Sequence, residues 1–260
     1  MGKIIAVANQ KGGVGKSTTV VNLAAFLGSK GKKVLCIDFD PQGNATTGFG
    51  IKKRSVEITS YNVIIGKNRI QDAIIVTEFE NVSVIPSTDA LAGAELELLN
   101  MDNRVNRLKM QLLTIKNDYD FVLIDCPPAL GSLTINALVA SDSIIVPMLA
   151  EFYALEGLSQ LVNTIKIVKN NYNPSLDIEG ILFTMFDGRL NVANDVVAEV
   201  EKYFPNKVFE TKIPRNVRIS EAPSHGKPVM YYDKTSKGTD SYTLLGLEIL
   251  GEPLQLPQKK

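Results

Sequence analysis

The chain has 260 residues, of which 45% are apolar and 22% charged, a balance typical of a globular protein with a substantial buried core. Lysine plus arginine and aspartate plus glutamate both total 28, so the zero formal net charge excludes a global attraction to nucleic acid or anionic lipid. The two cysteines, Cys36 and Cys126, are too few for a disulfide framework or a zinc site of their own, and we expect buried thiols in a reducing compartment.

A glycine-rich segment, residues 11–18 (KGGVGKST), stands between a strand pattern and a helix pattern. The apolar run 4–8 predicts a buried strand, and apolar residues at helical spacing over 20–27 predict a helix. The three glycines let backbone N–H groups surround an anion, and the helix N-terminus adds its positive dipole end. We therefore predict a nucleotide-phosphate site, with Lys16 at the β- and γ-phosphates and Ser17 on Mg²⁺. The predicted nucleotide-binding residues here are Lys11, Gly12, Gly13, Val14, Gly15, Lys16, Ser17 and Thr18.

The segment departs from the general phosphate-loop pattern at one position, because Gln10 stands where the first glycine of G-x-x-x-x-G-K-[ST] would fall. Two other interpretations compete. One is a glycine turn with a solvated lysine. The other is a dinucleotide-binding fingerprint, in which Asp38 would be the acidic residue at the end of the second strand. Thr18 occupies the place of that fingerprint's third glycine, and the Lys16-Ser17 pair also favours the phosphate loop.

The second predicted strand, residues 33–38, runs into a loop that contains Asp38 and Asp40. Since ligands of open α/β sheets bind at the carboxyl ends of the strands, both carboxylates are expected near the phosphate loop. A turn aspartate that caps the chain before a proline is the alternative, and it fits Asp38 better than Asp40. The basic run 52–54 that follows is interpreted as a solvated face.

The run 121–125 (FVLID) places four large apolar residues before Asp125 and is stopped by two prolines. This is the Walker B pattern, whose carboxylate holds Mg²⁺. The pattern is weak alone, but a phosphate loop upstream makes it a strong indication. We therefore predict that Ser17 and Asp125 are the metal ligands.

The remaining segments alternate between strand and helix patterns. This alternation predicts a single-domain α/β fold with a doubly wound, mostly parallel sheet and helices on both faces. Residues 1–250 are expected to form the domain, and residues 251–260, which include two prolines, a flexible tail. The loop begins too early for a signal peptide, so we expect a cytoplasmic protein. Further strands are predicted at 82–86, 143–146 (ended by Pro147), 178–184 and 208–213, and helices at 91–99, 105–115, 133–140, 155–168 and 191–204.

Taken together, several segments resemble the ParA (Soj) family of DNA-partitioning ATPases, in the deviant-Walker group of P-loop NTPases that includes MinD-like proteins. The resemblance extends over nearly the whole chain and implies an enzyme that hydrolyses ATP with Mg²⁺. Besides residues 11–18, the segments that carry it are 38–44 (DFDPQGN), 123–128 (LIDCPP), 153–157 (YALEG) and 214–228 (PRNVRISEAPSHGKP).

The resemblance also implies roles for individual residues. Lys11 matches a lysine that crosses a dimer interface to the partner's nucleotide, and Asp40 matches the aspartate that positions the attacking water. Met185, Pro214 and Asn216 match segments that hold the adenine base, with Asn216 the expected hydrogen-bonding residue. The catalytic residues implied in this way are Lys11, Lys16 and Asp40.

The function implied is a switch in which ATP drives homodimerisation, the dimer binds double-stranded DNA without sequence preference, and hydrolysis releases it. A centromere-binding ParB-like partner would stimulate hydrolysis, and the protein would be associated with the nucleoid. Residues 207–237 hold seven cations against three acids, so the sequence predicts a local basic patch although the chain as a whole is neutral. The expected DNA-binding residues are Arg189, Arg218, Lys227, Lys234 and Lys237.

Four alternatives stay open from the sequence. The cations could be a solvated face. A relative could use the same switch to position a protein cargo. A membrane-cycling ATPase of the MinD kind would need a C-terminal amphipathic helix, against which Pro253 and Pro257 argue. A metallocluster ATPase resembling the iron protein of nitrogenase would need paired cysteines, and Cys36 and Cys126 stand in different contexts.

Overall fold

A computed structural model describes residues 2–152 and 154–256 of the chain. Its strands are β1 (Lys3–Val7), β2 (Val34–Asp38), β3 (Ile75–Val76), β4 (Val82–Ile85), β5 (Phe121–Asp125), β6 (Ser143–Leu149) and β7 (Asp177–Thr184). They form one sheet in the order β3-β4-β2-β5-β1-β6-β7, in which the neighbours are parallel apart from the antiparallel pair β3 and β4. The predicted α/β fold with a mostly parallel sheet is confirmed.

The helices connect the strands and cover the sheet. They are α1 (Lys16–Ser29), α2 (Asn44–Gly48), α3 (Ser60–Ile64), α4 (Leu91–Leu99), α5 (Arg107–Leu112), α6 (Ser132–Ala140), α7 (Ala154–Asn171), α8 (Asn191–Tyr203), α9 (Val217–Glu221), α10 (Val229–Tyr232) and α11 (Lys237–Leu250). Short 3₁₀ turns lie at Lys53–Ser55, Ile70–Ala73, Lys116–Asp118 and Ala222–His225. None of the helices in the described ranges combines the length and apolarity that a membrane crossing requires.

Helices cover both faces of the sheet. Successive side chains of one strand point to opposite sides, so each strand contributes to both buried faces. On one face, Ile5 of β1 packs in a cluster with Leu23 of α1 and Leu245 of α11. On the other face, the neighbouring Ile4 belongs to a second cluster with Leu138 of α6 and residues of α4, α5, α7 and α8. Helices α1 and α11 therefore pack on one face of the sheet, and α4 to α8 pack on the other.

The predicted strand 208–213 is wrong, since the only β-bridge between this segment and β7 is the isolated one that joins Val208 to Ile181. Its backbone contacts β7 at Phe209 and again at Ile213, whose N–H groups donate to the carbonyls of Ile181 and Phe183. Between these two hydrogen bonds, residues 210–212 stand opposite Leu182 alone, so the segment has two residues more than a regular strand pairing would allow. The N–H groups of Glu210 and Thr211 in this stretch donate to the Glu248 carboxylate of α11, at 2.7 and 3.1 Å.

Pro147 does not end a strand as predicted, because β6 continues through it to Leu149. The Pro147 carbonyl accepts a hydrogen bond from the side chain of Asn9, which follows β1. In a strand, the nitrogen and the carbonyl of one residue point to the same side, so the Pro147 nitrogen also points toward the chain that follows β1. At that position β1 has ended, and a missing N–H costs no strand pairing. No ladder donor is lost there, and β6 keeps its pairing with β7.

Helix α11 was not predicted, although it contributes much of the core on its face of the sheet. The Ser236 hydroxyl accepts from the Thr239 N–H at its start, and Gly251 ends it with a φ of 67°. Residues 257–260 lie outside the described residues. The predicted boundary at residue 250 and the flexible tail therefore stay predictions.

The contact between α1 and α11 depends on a glycine. A Cβ at Gly246 would lie 1.9 Å from Cδ1 of Phe26, which is buried in α1. We expect Gly246→Ala to lower the free energy of unfolding by about 1–3 kcal/mol, the usual effect of overpacking a core. Gly93→Ala in α4 is the control, because its Cβ would meet nothing closer than 3.8 Å and alanine favours the helix. Urea denaturation measures both, and a Gly246→Ala protein as stable as the control variant would contradict this account.

Candidate active site

The glycine-rich loop lies between the end of β1 and the start of α1. Gly13 and Gly15 have φ values of 73° and 85°, which residues with a Cβ rarely adopt. Gly15 directly precedes Lys16, the first residue of α1, and no side chain caps its N-terminus. Backbone N–H groups of the loop and of the first turn are thus available to an anion, as predicted from the spacing of the glycines.

Two polar side chains at strand ends fix this loop. The Asn9 amide donates to the Pro147 carbonyl at 2.7 Å, and its oxygen accepts from the N–H of Lys11 at 3.0 Å. The Thr184 hydroxyl at the end of β7 donates to the Val14 carbonyl at 2.9 Å. Neither residue was predicted to belong to the site. Both are polar residues at or just after the carboxyl end of a buried strand, and this position could have identified them because ligands bind at that edge of a parallel sheet.

The two lysines of the loop have different environments. Lys16 is buried, with only 5% of its surface exposed, and donates to the Lys11 carbonyl at 3.3 Å. Burial lowers the pKa of Lys16, whereas the negative charges of Asp125 and Asp40 oppose that shift. Lys11 instead extends outward and forms an ion pair with Glu151 at 2.6 Å, in which both side chains are exposed. Only Lys16 is built into the interior of the site.

Asp125 is a buried carboxylate whose desolvation the protein offsets only in part, through Ser17 and Lys16. Neither of its oxygens has a hydrogen-bond partner of good geometry among the described residues. Burial raises its pKa well above the usual range, and Asp38 adds to the rise, while the nearby Ser17 hydroxyl opposes it. An orphaned buried carboxylate next to a hydroxyl is suited to a hard cation such as Mg²⁺, which usually takes one or two protein ligands and completes its shell with phosphate and water.

The described residues contain no group of three or more His, Cys, Asp or Glu side chains that could hold a metal by themselves. The two cysteines are separate buried thiols, as predicted. Ser17 and Asp125 therefore fit a metal that also takes ligands from a bound phosphate, and Mg²⁺ is such a metal.

Asp38 and Asp40 both lie at the ligand edge of the sheet, but they are held differently. Asp38 accepts from the N–H and hydroxyl of Thr46 at 2.7 and 2.6 Å and from the N–H of Asp40 at 3.2 Å. Burial raises its pKa to about 6. These hydrogen bonds confirm the interpretation of Asp38 as a turn aspartate. Asp40 faces a cavity of about 380 Å³ together with loop residues Gly13 and Lys16.

This cavity continues from the loop toward the C-terminal part of the chain. Met185, which has a φ of 49°, lines it, whereas Pro214 and Asn216 are not on its walls. Pro214 bridges to Phe186, and the Asn216 oxygen caps α9 by accepting from Arg218 and Ile219 N–H groups. Contact of Pro214 and Asn216 with a base stays a prediction. Lys227, predicted to bind DNA, lines this cavity.

The predicted DNA-binding arginines are paired with acids. Arg189 forms a two-point ion pair with Asp187, with distances of 2.8 and 2.6 Å. Arg218 contacts Glu221 at 2.9 Å and Asp233 at 3.2 Å. Both arginines are at least half exposed, so an anion can compete with these acids for them.

Comparisons with known proteins agree with these observations. A family model described as an AAA domain matches residues 2–178. The chain is 55% identical to the sporulation initiation inhibitor protein Soj of Bacillus subtilis (96% of this chain, 98% of that protein). It is 46% identical to the chromosome-partitioning ATPase Soj of Treponema pallidum (96% and 98%). It is also similar to a crystal structure of cobyrinic acid a,c-diamide synthase from Mycobacterium smegmatis with bound ATP analogue and magnesium (TM-score 0.86, 34% identity, 96% and 94% covered).

The burial of Asp125 predicts a pH-dependent stability. A carboxyl group whose pKa is higher in the folded than in the unfolded protein increasingly destabilises the fold as the pH rises from about 4. Asp125→Asn should therefore stabilise the nucleotide-free protein, by a margin that widens as the pH rises above about 4. Urea denaturation across this range tests it, with the exposed Asp195→Asn as control. A margin that stays constant with pH would contradict the assignment.

Proposed function

The chain belongs to the ParA (Soj) family of DNA-partitioning ATPases, and we propose that it is a Mg²⁺-dependent ATPase whose ATP-bound form dimerises and binds DNA. The observation that carries this proposal is a single cavity that joins the glycine-rich loop, Lys16 and Asp40. Phosphoryl transfer to water requires that the phosphates be bound and the attacking water be oriented. The loop with Lys16 can bind the phosphates, and the Asp40 carboxylate can orient the water.

Each residue has a defined task in this proposal. The loop N–H groups and the Lys16 ammonium bind the phosphates. Ser17 and Asp125 would hold Mg²⁺, which would neutralise negative charge on the phosphates. Asp40 accepts a hydrogen bond from water and orients it for in-line attack on the γ-phosphate. The burial of Asp40 and Lys16 strengthens these electrostatic interactions, because the local dielectric constant is low.

Lys11 supports a dimerisation switch. In the single chain its ammonium is paired with Glu151 on the surface. An exposed ion pair of this kind contributes roughly 0–1 kcal/mol, so a nucleotide in a second subunit can displace it easily. ATP bound between two chains would then be contacted by Lys16 of its own subunit and by Lys11 of the partner.

The dimer would present two copies of the arginine-bearing surface to DNA. A single chain offers few phosphate contacts, and joining two raises the effective concentration of the second set. We infer an encounter with phosphates rather than bases, and therefore little sequence preference. The similarity to chromosome-partitioning relatives favours a ParB-like partner and a location on the nucleoid over the protein-cargo alternative.

The direct test is Asp40→Ala. Loss of the water-orienting carboxylate should reduce ATP hydrolysis at least a hundredfold, while ATP binding persists because the phosphate cradle is untouched. Steady-state hydrolysis and gel filtration with ATP should show an inactive protein that accumulates as a dimer. Wild-type turnover in this variant would refute the assignment of Asp40, and absence of hydrolysis in the wild-type protein would refute the proposed activity.

The two loop lysines should separate binding from dimerisation. Lys16→Ala should weaken ATP binding itself, because the buried ammonium in the cavity is lost. Lys11→Ala should leave ATP binding within about twofold of wild type and abolish the ATP-dependent dimer, because its side chain points away from its own cavity. Nucleotide titration and gel filtration distinguish them. Identical behaviour of the two variants would contradict the division of roles.

The DNA surface can be tested by charge reversal. Arg189→Glu with Arg218→Glu should lower DNA affinity at least tenfold in ATP and low salt, while ATP-dependent dimerisation continues. Wild-type affinity should fall with salt at a slope of about −0.9 per neutralised phosphate. Arg69→Glu is a matched control, since Arg69 also pairs with an acid three residues away but lies outside the surface. Asp187→Asn should raise affinity by freeing Arg189. Unchanged affinity in the double variant would place the surface elsewhere.

A further inference from the structure

One lysine of the basic run 52–54, interpreted from sequence as a solvated face, has a specific contact. The Lys53 ammonium donates a hydrogen bond to the Gln42 carbonyl. Lys53 is partly buried, whereas Lys52 and Arg54 are exposed. The prediction of a solvated face is therefore wrong for the central residue, because folding brings the turn at 53–55 against the loop that follows β2.

The side chain of Lys53 packs closely against Gly43, the residue after Gln42 in the same loop. Gly43 has a φ of 59°, and a Cβ there would lie 2.9 Å from Cε of Lys53 and 2.8 Å from the carbonyl oxygen of Ser87. The lysine side chain thus covers one side of Gly43, and the chain after β4 covers another. A glycine at this position leaves the room that the Lys53 stem occupies.

The Gln42 residue links Lys53 to the candidate catalytic carboxylate. Its N–H donates to Oδ1 of Asp40 at 2.9 Å, while its carbonyl accepts from Lys53. The Gly43 N–H closes the turn on the Asp40 carbonyl at 2.9 Å. A restraint on Gln42 is therefore also a restraint on the position of the Asp40 side chain.

The two ends of the same loop are held by buried groups. Asp38 binds the N–H of Asp40 and the side chain of Thr46, and the Thr46 hydroxyl accepts from the Ser87 N–H at 2.9 Å. Gln42, in the middle, is exposed, whereas Gly43 beside it is buried. The Lys53 contact thus acts at the part of the loop that the interior holds least.

We propose that Lys53 is a positioning residue for ATP hydrolysis, which keeps the Asp40 carboxylate aligned by holding Gln42. This inference rests on the proposed function of Asp40. Lys53 is not on the walls of the nucleotide cavity, whereas Gln42 is. Because Lys53 holds the Gln42 carbonyl and does not contact the glycine-rich loop that cradles the phosphates, its effect should fall on turnover and not on ATP affinity. A displacement of about 1 Å in a reacting group can lower a rate on the order of a hundredfold, so an intermediate loss is expected from greater mobility alone.

The experiment compares Lys53→Met, Lys53→Arg and Lys52→Met in the full chain. Lys53→Met keeps most of the stem but removes the donor, and should lower kcat about tenfold with KM for ATP and ATP-dependent dimerisation unchanged. Lys53→Arg keeps a donor and should retain most of the turnover. Lys52→Met removes the same charge from the adjacent exposed position and should behave as wild type.

Several outcomes would overturn the inference. Wild-type kcat in Lys53→Met would do so, as would an equal loss in Lys52→Met or a loss of kcat in Lys53→Met that Lys53→Arg does not rescue. A parallel loss of ATP affinity or of unfolding free energy would assign Lys53 a merely structural role. If the wild type hydrolyses ATP and Asp40→Ala does not, these outcomes refute only the role of Lys53. If the wild type lacks hydrolysis, the proposed function fails with it.

Discussion

The burial of charge at the ends of three adjacent strands governs this structure. In the sheet, β5 lies between β1 and β2, and its last residue, Asp125, pairs in register with Val7 and with Asp38. Two carboxylates are thus forced together beside the buried Lys16. Desolvation of ions is expensive, so this arrangement opposes folding unless a cation and phosphates complete it. Binding of a cation and phosphates should therefore stabilise the folded protein by offsetting the desolvation cost of these buried charges.

The contacts that surround these buried charges differ between the protein interior and the surface. Asn9 and Thr184 fix the glycine-rich loop through hydrogen bonds to carbonyls of neighbouring strands and of the loop itself. Lys11 and Lys53, in contrast, make contacts at the surface, where water competes and the net contribution is small. The geometry of the phosphate cradle is therefore held by the interior, and the elements expected to respond to a partner or to hydrolysis lie at the rim.

The C-terminal part of the chain connects the cavity to the proposed DNA surface. Helix α9 bears Arg218 and leads directly into Ala222, which lines the cavity. A few residues later, the N–H of Val229 donates to the Asn22 side chain of α1 at 2.7 Å. One short segment thus touches both the helix that begins at the phosphate cradle and the surface expected to meet DNA. Its position gives a physical route by which nucleotide and DNA binding can influence each other.

Elements whose signals are local could be predicted from the amino-acid sequence. Apolar periodicity predicted the parallel strands, and glycines with a lysine and a hydroxyl predicted the cradle before α1, because these features depend on neighbours in the chain. Contacts between distant segments, in contrast, became visible only in the folded chain. The Glu248 carboxylate takes the N–H groups that would have made 208–213 a strand, and the end of β1 makes Pro147 tolerable within β6. The contact between Lys53 and Gln42 could not be predicted from the basic run around Lys53, because the two residues meet only when the chain folds back.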